Sequence, residues 1–350
     1  MSTITLKDNG LQVKLPDGLS EDQLLAFKPF NGHQNWVKGL TKSLSLQAKN
    51  KDHPFHPDPY QLRAISVQAF DMFSSGRVGF LKATADVKNG AGEGLPASVF
   101  LRGPSVGMLV MLIPDDASSE NNERYVVLTV QPRVPVGSLS FAELPAGMVD
   151  DSGSFAGAAA KEIKEELGLE IHESELACLS ELAGTGRSVD NEIDEGLAEA
   201  MYPSAGGCDE FVTLYSHERK ISRGQLEEWS GKLTGLRDHG EKITLKLVAM
   251  KDLWREGARD SKCLAALALW EGLRREGKLD ALGYGPHASV DGVAFSLETN
   301  TFGPEFGQRH GKDLDELALF QLSLGILVLG EGGVNRDVDH AEVRVAETGV

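Results

Sequence analysis

The chain has 350 residues, 41% hydrophobic and 25% charged, with a formal net charge of −17 at pH 7. That length buries a full core and has room for two domains, and the composition is that of a globular protein. The acidic balance excludes a general nucleic-acid or anionic-membrane surface. A phosphate substrate stays open, because a metal and a few local cations can supply a positive field. Cys178, Cys208 and Cys263 are odd in number and far apart, so a reducing compartment without a disulfide framework is expected. The first residues, MSTITLKDNGLQVKLPDG, have neither an apolar core region nor an Arg/Ser-rich amphipathic stretch. They read as mature and untargeted, which predicts a cytoplasmic protein.

In chain order, Ser20-Glu21-Asp22-Gln23 before Leu24 and Leu25 is a capping-box signature for a short helix. Trp36, Leu40 and Leu44 form a second helical stripe. His53 to Pro59 (HPFHPDP) is a Pro-broken linker whose histidines lack further metal ligands at fixed spacing. Strand texture begins at Ile65, with Val78, Phe80, Leu81, Ala83, Ala85 and Val87, then a turn at Lys88 to Pro96. Val99 to Leu101, Val106 to Ile113 and Tyr125 to Val130 are further strands, and Pro132 and Pro135 are expected to break the chain.

The stretch Gly147 to Leu169, GMVDDSGSFAGAAAKEIKEELGL, organises the rest. Gly153, Ser154 and Gly157 mark a loop that opens a helix. Glu162, Glu165 and Glu166 at i, i+3 and i+4 share one face, and Ala159, Ile163 and Leu167 form a separate apolar stripe. Gly168 is a stop signal. Three like charges on one face repel unless a cation sits among them, and a hard divalent ion that takes carboxylate oxygens suits the place. The competing reading is a solvated acidic face.

Beyond it, Leu176 to Leu182 reads as strand or short helix, and Gly184 to Met201 as an acidic solvated insertion carrying Asp190, Glu192, Asp194 and Glu195. Phe211 to Tyr215 and Ile243 to Val248 read as strands, and Cys263 to Leu273 as a closing helix with Leu264, Leu267 and Trp270 inward. Strands before, between and after helices without a long βαβ rhythm predict a mixed sheet between helices. Leu317 to Leu329 is apolar but shorter than the ~20 residues a membrane span needs, so no membrane contact is expected.

The central stretch resembles the Nudix box, G-x5-E-x7-R-E-U-x-E-E-x-G-U with U aliphatic. Gly147, Glu162, Ile163, Glu165, Glu166, Gly168 and Leu169 fall on the pattern; Gly153 stands for its first Glu and Lys161 for its Arg. The runs Arg77 to Val87, Phe100 to Pro104, Gln131 to Gly137, Glu143 to Asp151, Gly206 to Glu210, Thr234 to Ile243 and Leu253-Trp254 are similar to the ADP-sugar diphosphatase branch of that family. The resemblance implies an α/β protein: a Nudix-type α/β/α sandwich with a mixed sheet over 96–280. An N-terminal helix and strand region with a dimer contact would occupy 1–95, and a tail 281–350. It implies metal ligands at Glu162, Glu165, Glu166, the Ala146 carbonyl and Glu241, with Glu165 and Glu241 catalytic. Arg102 and Arg133 would lie near the diphosphate or nucleotide and Glu143 near the nucleoside; Glu210, beside paired glycines, reads from its own sequence as a substrate contact or as a capped turn at a strand start. The implied cofactor is Mg²⁺, with Mn²⁺ as the alternative. The implied reaction is hydrolysis of ADP-ribose and ADP-glucose to AMP and a sugar phosphate, in a homodimer. Hydrolysis of another nucleoside diphosphate derivative or dinucleotide, or a non-catalytic nucleotide-binding module, are the alternatives.

Overall fold

The computed structural model describes residues 3–5, 11–20, 22–23, 27, 31–73, 76, 78–118, 123–149, 154–185, 195–235 and 242–279. Leu24, Leu25, Arg77, Gly153, Asp190, Glu192, Asp194, His239, Glu241 and the tail 281–350 lie outside these residues.

The first sheet runs β1-β2-β3-β4-β5: β1 Thr3–Thr5, β2 Gln12–Lys14, β3 Gln61–Met72, β4 Val78–Lys88 and β5 Ser98–Leu101. Alternation puts Ile65 and Val67 of β3, Leu81 and Ala83 of β4, and Leu101 of β5 into one core. Helix α1, Asn31–Lys49, adds Trp36 and Val37 to it. The capping signature at Ser20 is realised: Gln23 N–H donates to Ser20 Oγ at 3.2 Å, and Ser20 N–H donates to Gln23 Oε1 at 3.0 Å. In the linker, His56 Nδ1 lies 2.8 Å from the Gln47 carbonyl and His53 Nδ1 accepts from Phe55 N–H, so both rings serve local backbone.

The second sheet is built on β6, Ser105–Pro114, every residue of which is buried. Its partners are β7 Tyr125–Arg133, β8 Ser138–Glu143, β9 Ala146–Met148, β10 Ala177–Cys178, β11 Val212–Ile221, β12 Leu233–Thr234 and β13 Ile243–Ala249. The order is β10-β11-β6-β7-β13-β12, with β8 on β7 and β9 on β6. Only β6 and β11 pair in parallel, so the sheet is mixed.

Period-two alternation splits β6 between two faces. Val106, Met108, Val110 and Leu112 meet α2 (Phe155–Glu162, extended by a π-helical turn Ile163–Leu167) and α4 (Arg223–Trp229). Leu109 and Met111 meet α3 (Leu179–Gly184), α5 (Leu253–Glu256) and α6 (Ser261–Arg275). The result is the expected α/β/α sandwich, and burial on both faces explains the unbroken apolar run of β6.

Four elements differ from the sequence reading. Pro132 does not end β7; it sits inside the strand at a register shift between Gln131 and Arg133, a bulge where a missing N–H costs no ladder bond. Leu176 to Leu182 is strand and helix in succession, β10 then α3. Helix α4, not anticipated, starts at a capping box in which Ser222 accepts from Gln225 N–H and the Gln225 side chain accepts from Ser222 N–H. In α6 the buried face is Cys263, Ala266, Leu267, Trp270 and Leu273, and Leu264 is exposed. In the acidic insertion, Glu195 is tied to α1 by a 2.5 Å hydrogen bond from Ser43.

Candidate active site

Ser154 opens α2 by accepting from Gly157 N–H at 2.9 Å, and Gly168 closes the π-helical turn in the left-handed conformation, φ 70°. Ala159, Ile163 and Leu167 are fully buried, as the stripe predicted. The wider turn at Ile163–Leu167 breaks the regular spacing of the glutamates. Glu166 is buried, at 2% exposure, and accepts from Ala146 N–H at 3.2 Å and Gln131 Nε2 at 3.4 Å. Glu162 and Glu165 are half-buried. Glu165 has no hydrogen bond or ion pair with any described residue, whereas Glu162 has partners.

The turn Glu143 to Gly147 threads between the two helical layers. Gly147 pairs with Val106, whose side chain faces α2; Ala146 pairs with Gly107, which faces α6. On the α2 side Glu162 packs directly against Gly147: a Cβ there would collide with the Glu162 carboxyl group. On the α6 side Leu144 N–H donates to Asp260 Oδ2 at 2.9 Å. Asp260 also caps α6 by accepting from Lys262 N–H, and its Oδ1 lies 2.9 Å from Lys262 Nζ. Lys262 Nζ reaches Glu143 Oε2 at 2.9 Å, and Arg133 Nε reaches Glu143 Oε1 at 2.5 Å. Burial lowers the affinity of Lys262 for its proton, but Asp260 and Glu143 outweigh it and the ammonium is held above its usual range.

A second cluster lies at the starts of β6 and β11. Glu210 sits 3.4 Å from Arg102 Nε and accepts from Ser105 Oγ at 3.2 Å. Arg102 Nε is buried and makes no hydrogen bond at that distance. Asp209 Oδ1 accepts from the N–H groups of Arg102 and Gly103, at 2.8 and 3.2 Å. Gly103 is left-handed, φ 84°, which a side chain would resist. Burial raises the Asp209 carboxyl above its usual range despite those bonds. The Arg102 guanidinium lies 6.0 Å from the Phe80 ring centre, and Phe80 stacks on Phe100. Burial first, then Asp209 and Glu210, raises the Cys208 thiol, which disfavours a thiolate there.

All these groups share one end of the eight-stranded sheet. β6 and β11 start there in parallel, and β7, antiparallel to β6, brings Arg133 back to it. Of the sequence-predicted residues, Arg133 is brought to Glu143, Arg102 to Glu210, and Ala146 to Glu166. Both oxygens of Glu143, expected beside a nucleoside, are engaged by Arg133 and Lys262. Among the described residues no three Asp, Glu, His or Cys side chains converge closely enough to hold a metal. Glu162, Glu165 and Glu166 therefore match a hard divalent cation in donor chemistry, oxygen only, and share a helix without meeting at one point. Asp260, Lys262, Asp209 and Gln131 were not singled out. Asp260 had a signal, an N-cap residue directly before an apolar-periodic helix; Glu143, Arg102 and Glu166, which the other three meet, are brought to them by tertiary packing over long separations.

The sequence model of the NUDIX domain matches residues 110–267. Nudix hydrolase 14, chloroplastic, of Arabidopsis thaliana is 35% identical over 246 residues, covering 70% of this chain and 71% of that protein. A solved structure titled an ADP compounds hydrolase superposes on 63% of this chain and 97% of its own, at 15% identity and a TM-score of 0.38, too distant to bear on this site. With the box on α2, its glycine against Glu162 and a relative of this identity over most of its length, the chain belongs to the Nudix hydrolase family, whose members act on pyrophosphate bonds and generally use divalent metals.

Proposed function

We propose that this Nudix hydrolase splits ADP-sugars, ADP-ribose and ADP-glucose, into AMP and a sugar phosphate by attack of water on the diphosphate. The observation that carries the reading is the half-buried, unpaired Glu165 between Glu162 and Glu166, at the same sheet end as Arg102 and Arg133. A diphosphate bridge carries two negative charges that repel an attacking nucleophile. Bound Mg²⁺ or Mn²⁺, held by Glu162, Glu165, Glu166, the Ala146 carbonyl and Glu241, would supply the neutralising charge and a more acidic water.

The chain's own groups do the rest. Glu165 or Glu241 takes the proton of the attacking water. Arg102 and Arg133 give charge-assisted bonds to phosphate oxygens. Glu143 and Glu210 aim those guanidinium groups from behind. Cys208, with its raised thiol, offers no covalent route. The same proposal takes the enzyme as a cytoplasmic homodimer, consistent with three free cysteines; light scattering tests the dimer.

The test is a panel of ADP-ribose, ADP-glucose, UDP-glucose and NADH with and without Mg²⁺. ADP-ribose should give AMP and ribose 5-phosphate, and ADP-glucose AMP and glucose 1-phosphate. In ¹⁸O-labelled water one label should enter a phosphate. Label on the anomeric carbon, or ADP with free glucose, would mean glycosidic cleavage and overturn the reading.

A further inference from the structure

At this end of the sheet the box helix and the two arginines leave one largely buried cation without a role. Lys262, on the first turn of α6, has a side chain only 16% exposed and lies between Glu143 and Asp260, themselves 5% and 3% exposed. A lone ammonium is rarely taken out of water for packing, because its desolvation is repaid only by close, well-formed pairs. Here both pairs are 2.9 Å, and the lysine stem crosses Gly107, where a Cβ would stand 3.5 Å from its Cδ. The far oxygen of Glu143 is the one that holds Arg133 Nε. Arg133 is 40% exposed, and its two terminal nitrogens have no partner among the described residues.

We propose that Lys262 is a positioning residue for nucleotide binding: it pins Glu143 so that Glu143 fixes the Nε edge of Arg133 and leaves its outer nitrogens for the diphosphate. The inference rests on the reading of Arg133 as a phosphate contact. Charge bookkeeping gives the reason for a cation at this place. Arg133, Glu143, Lys262 and Asp260 are two cations and two anions in a row. Without Lys262 the two carboxylates face each other across the vacated space, and the one remaining cation, Arg133, stands on the far side of Glu143. Arg133 would then be drawn inward to the excess negative charge and away from a ligand. The lysine tunes the outward charge of a residue it does not touch.

A merely structural lysine would lower stability without changing what Arg133 contributes. The experiment is therefore a double-mutant cycle on the full chain, read by calorimetric binding of ADP in the presence of Mg²⁺. Lys262→Met and Arg133→Met should each weaken ADP binding about tenfold, and the double variant should be no weaker than about twentyfold, because both remove one contact. If Lys262→Met does not fold, Glu143→Gln takes its place in the cycle, keeping the shape and removing the charge. Unchanged ADP affinity in Lys262→Met, a near-hundredfold additive loss in the double variant, or no ADP binding by the wild type would each overturn the proposal. Wild-type binding and a coupled cycle with no turnover of the substrate panel would instead defeat the proposed reaction and leave the role of Lys262 standing.

Discussion

Gly147→Ala tests whether the turn fixes Glu162. An added Cβ would lie 2.5 Å from Glu162 Cγ and closer still to the carboxyl carbon and Oε1, where ordinary contact begins at 3.4 Å. Gly147 is not among the left-handed glycines, so the methyl brings no backbone strain. The clash falls on the end of a flexible side chain, and Glu162 can escape it by withdrawing about 1 Å. Overpacking of this kind costs about 1–3 kcal/mol and should sit at the low end here. A 1 Å misplacement at a reacting centre costs about 10²-fold in rate. The expected result is a roughly hundredfold lower kcat/KM and a raised Mg²⁺ requirement, with a melting temperature within a few degrees of wild type. Gly224→Ala, in α4, is the control: an added Cβ there meets nothing within 4 Å. Wild-type kinetics and Mg²⁺ dependence in Gly147→Ala would refute the reasoning.

Glu165→Gln keeps volume and removes charge, so kcat should fall about 10²-fold or more with the fold intact; equal rates at saturating Mg²⁺ would remove Glu165 from the chemistry. Burial depresses the pKa of His217 below its ordinary 6.5, so the folded state resists a proton that the unfolded chain accepts. Its contribution is complete above about pH 6.5 and is lost as pH falls toward the folded value; wild-type melting temperature should decline between pH 7 and 5 more steeply than that of His217→Gln. Arg124, buried against Glu218 at 3.2 Å and over the Trp270 ring, should cost about 3 kcal/mol when changed to Met, read by denaturant midpoint. A chain ending at Leu279 should keep metal-dependent turnover; a folded but inactive truncation would show that the tail serves the site.

The sandwich and the box helix were legible because they rest on local pattern. The apolar run of β6 and the stripe Ala159, Ile163, Leu167 state their burial in one strand and one helix. The π-helical turn was not legible, because Glu166 is drawn to Ala146 N–H and Gln131, groups from other strands. The inward face of α6 was misjudged at Leu264 for a similar reason. Asp260 fixes the start of that helix through Leu144 N–H, a tie that spacing within the helix cannot show. Glu143 could be picked out by its motif, while the lysine that holds it, 119 residues later, could not. Pro132 was read as a break because a proline within a strand usually is one; the bulge that accommodates it depends on β8, which the linear pattern concealed.

The parallel pairing at the centre of the second sheet, β6 with β11, also sets the order in which that sheet can assemble. Ser105 meets Glu210 across 105 positions, Arg102 meets Asp209 across 107, and Leu144 meets Asp260 across 116. Antiparallel neighbours such as β7 and β8 can zip from a short connection, but these ties require long loops to close first, and closure entropy delays them. A chain emerging from the ribosome with the box helix already made still lacks the partners of Arg102 until Asp209 and Glu210 follow, and the lysine that holds Glu143 until α6 begins. Among the described residues the polar network at this end of the sheet is therefore a late event of folding, complete when α6 docks rather than when the signature motif is synthesised.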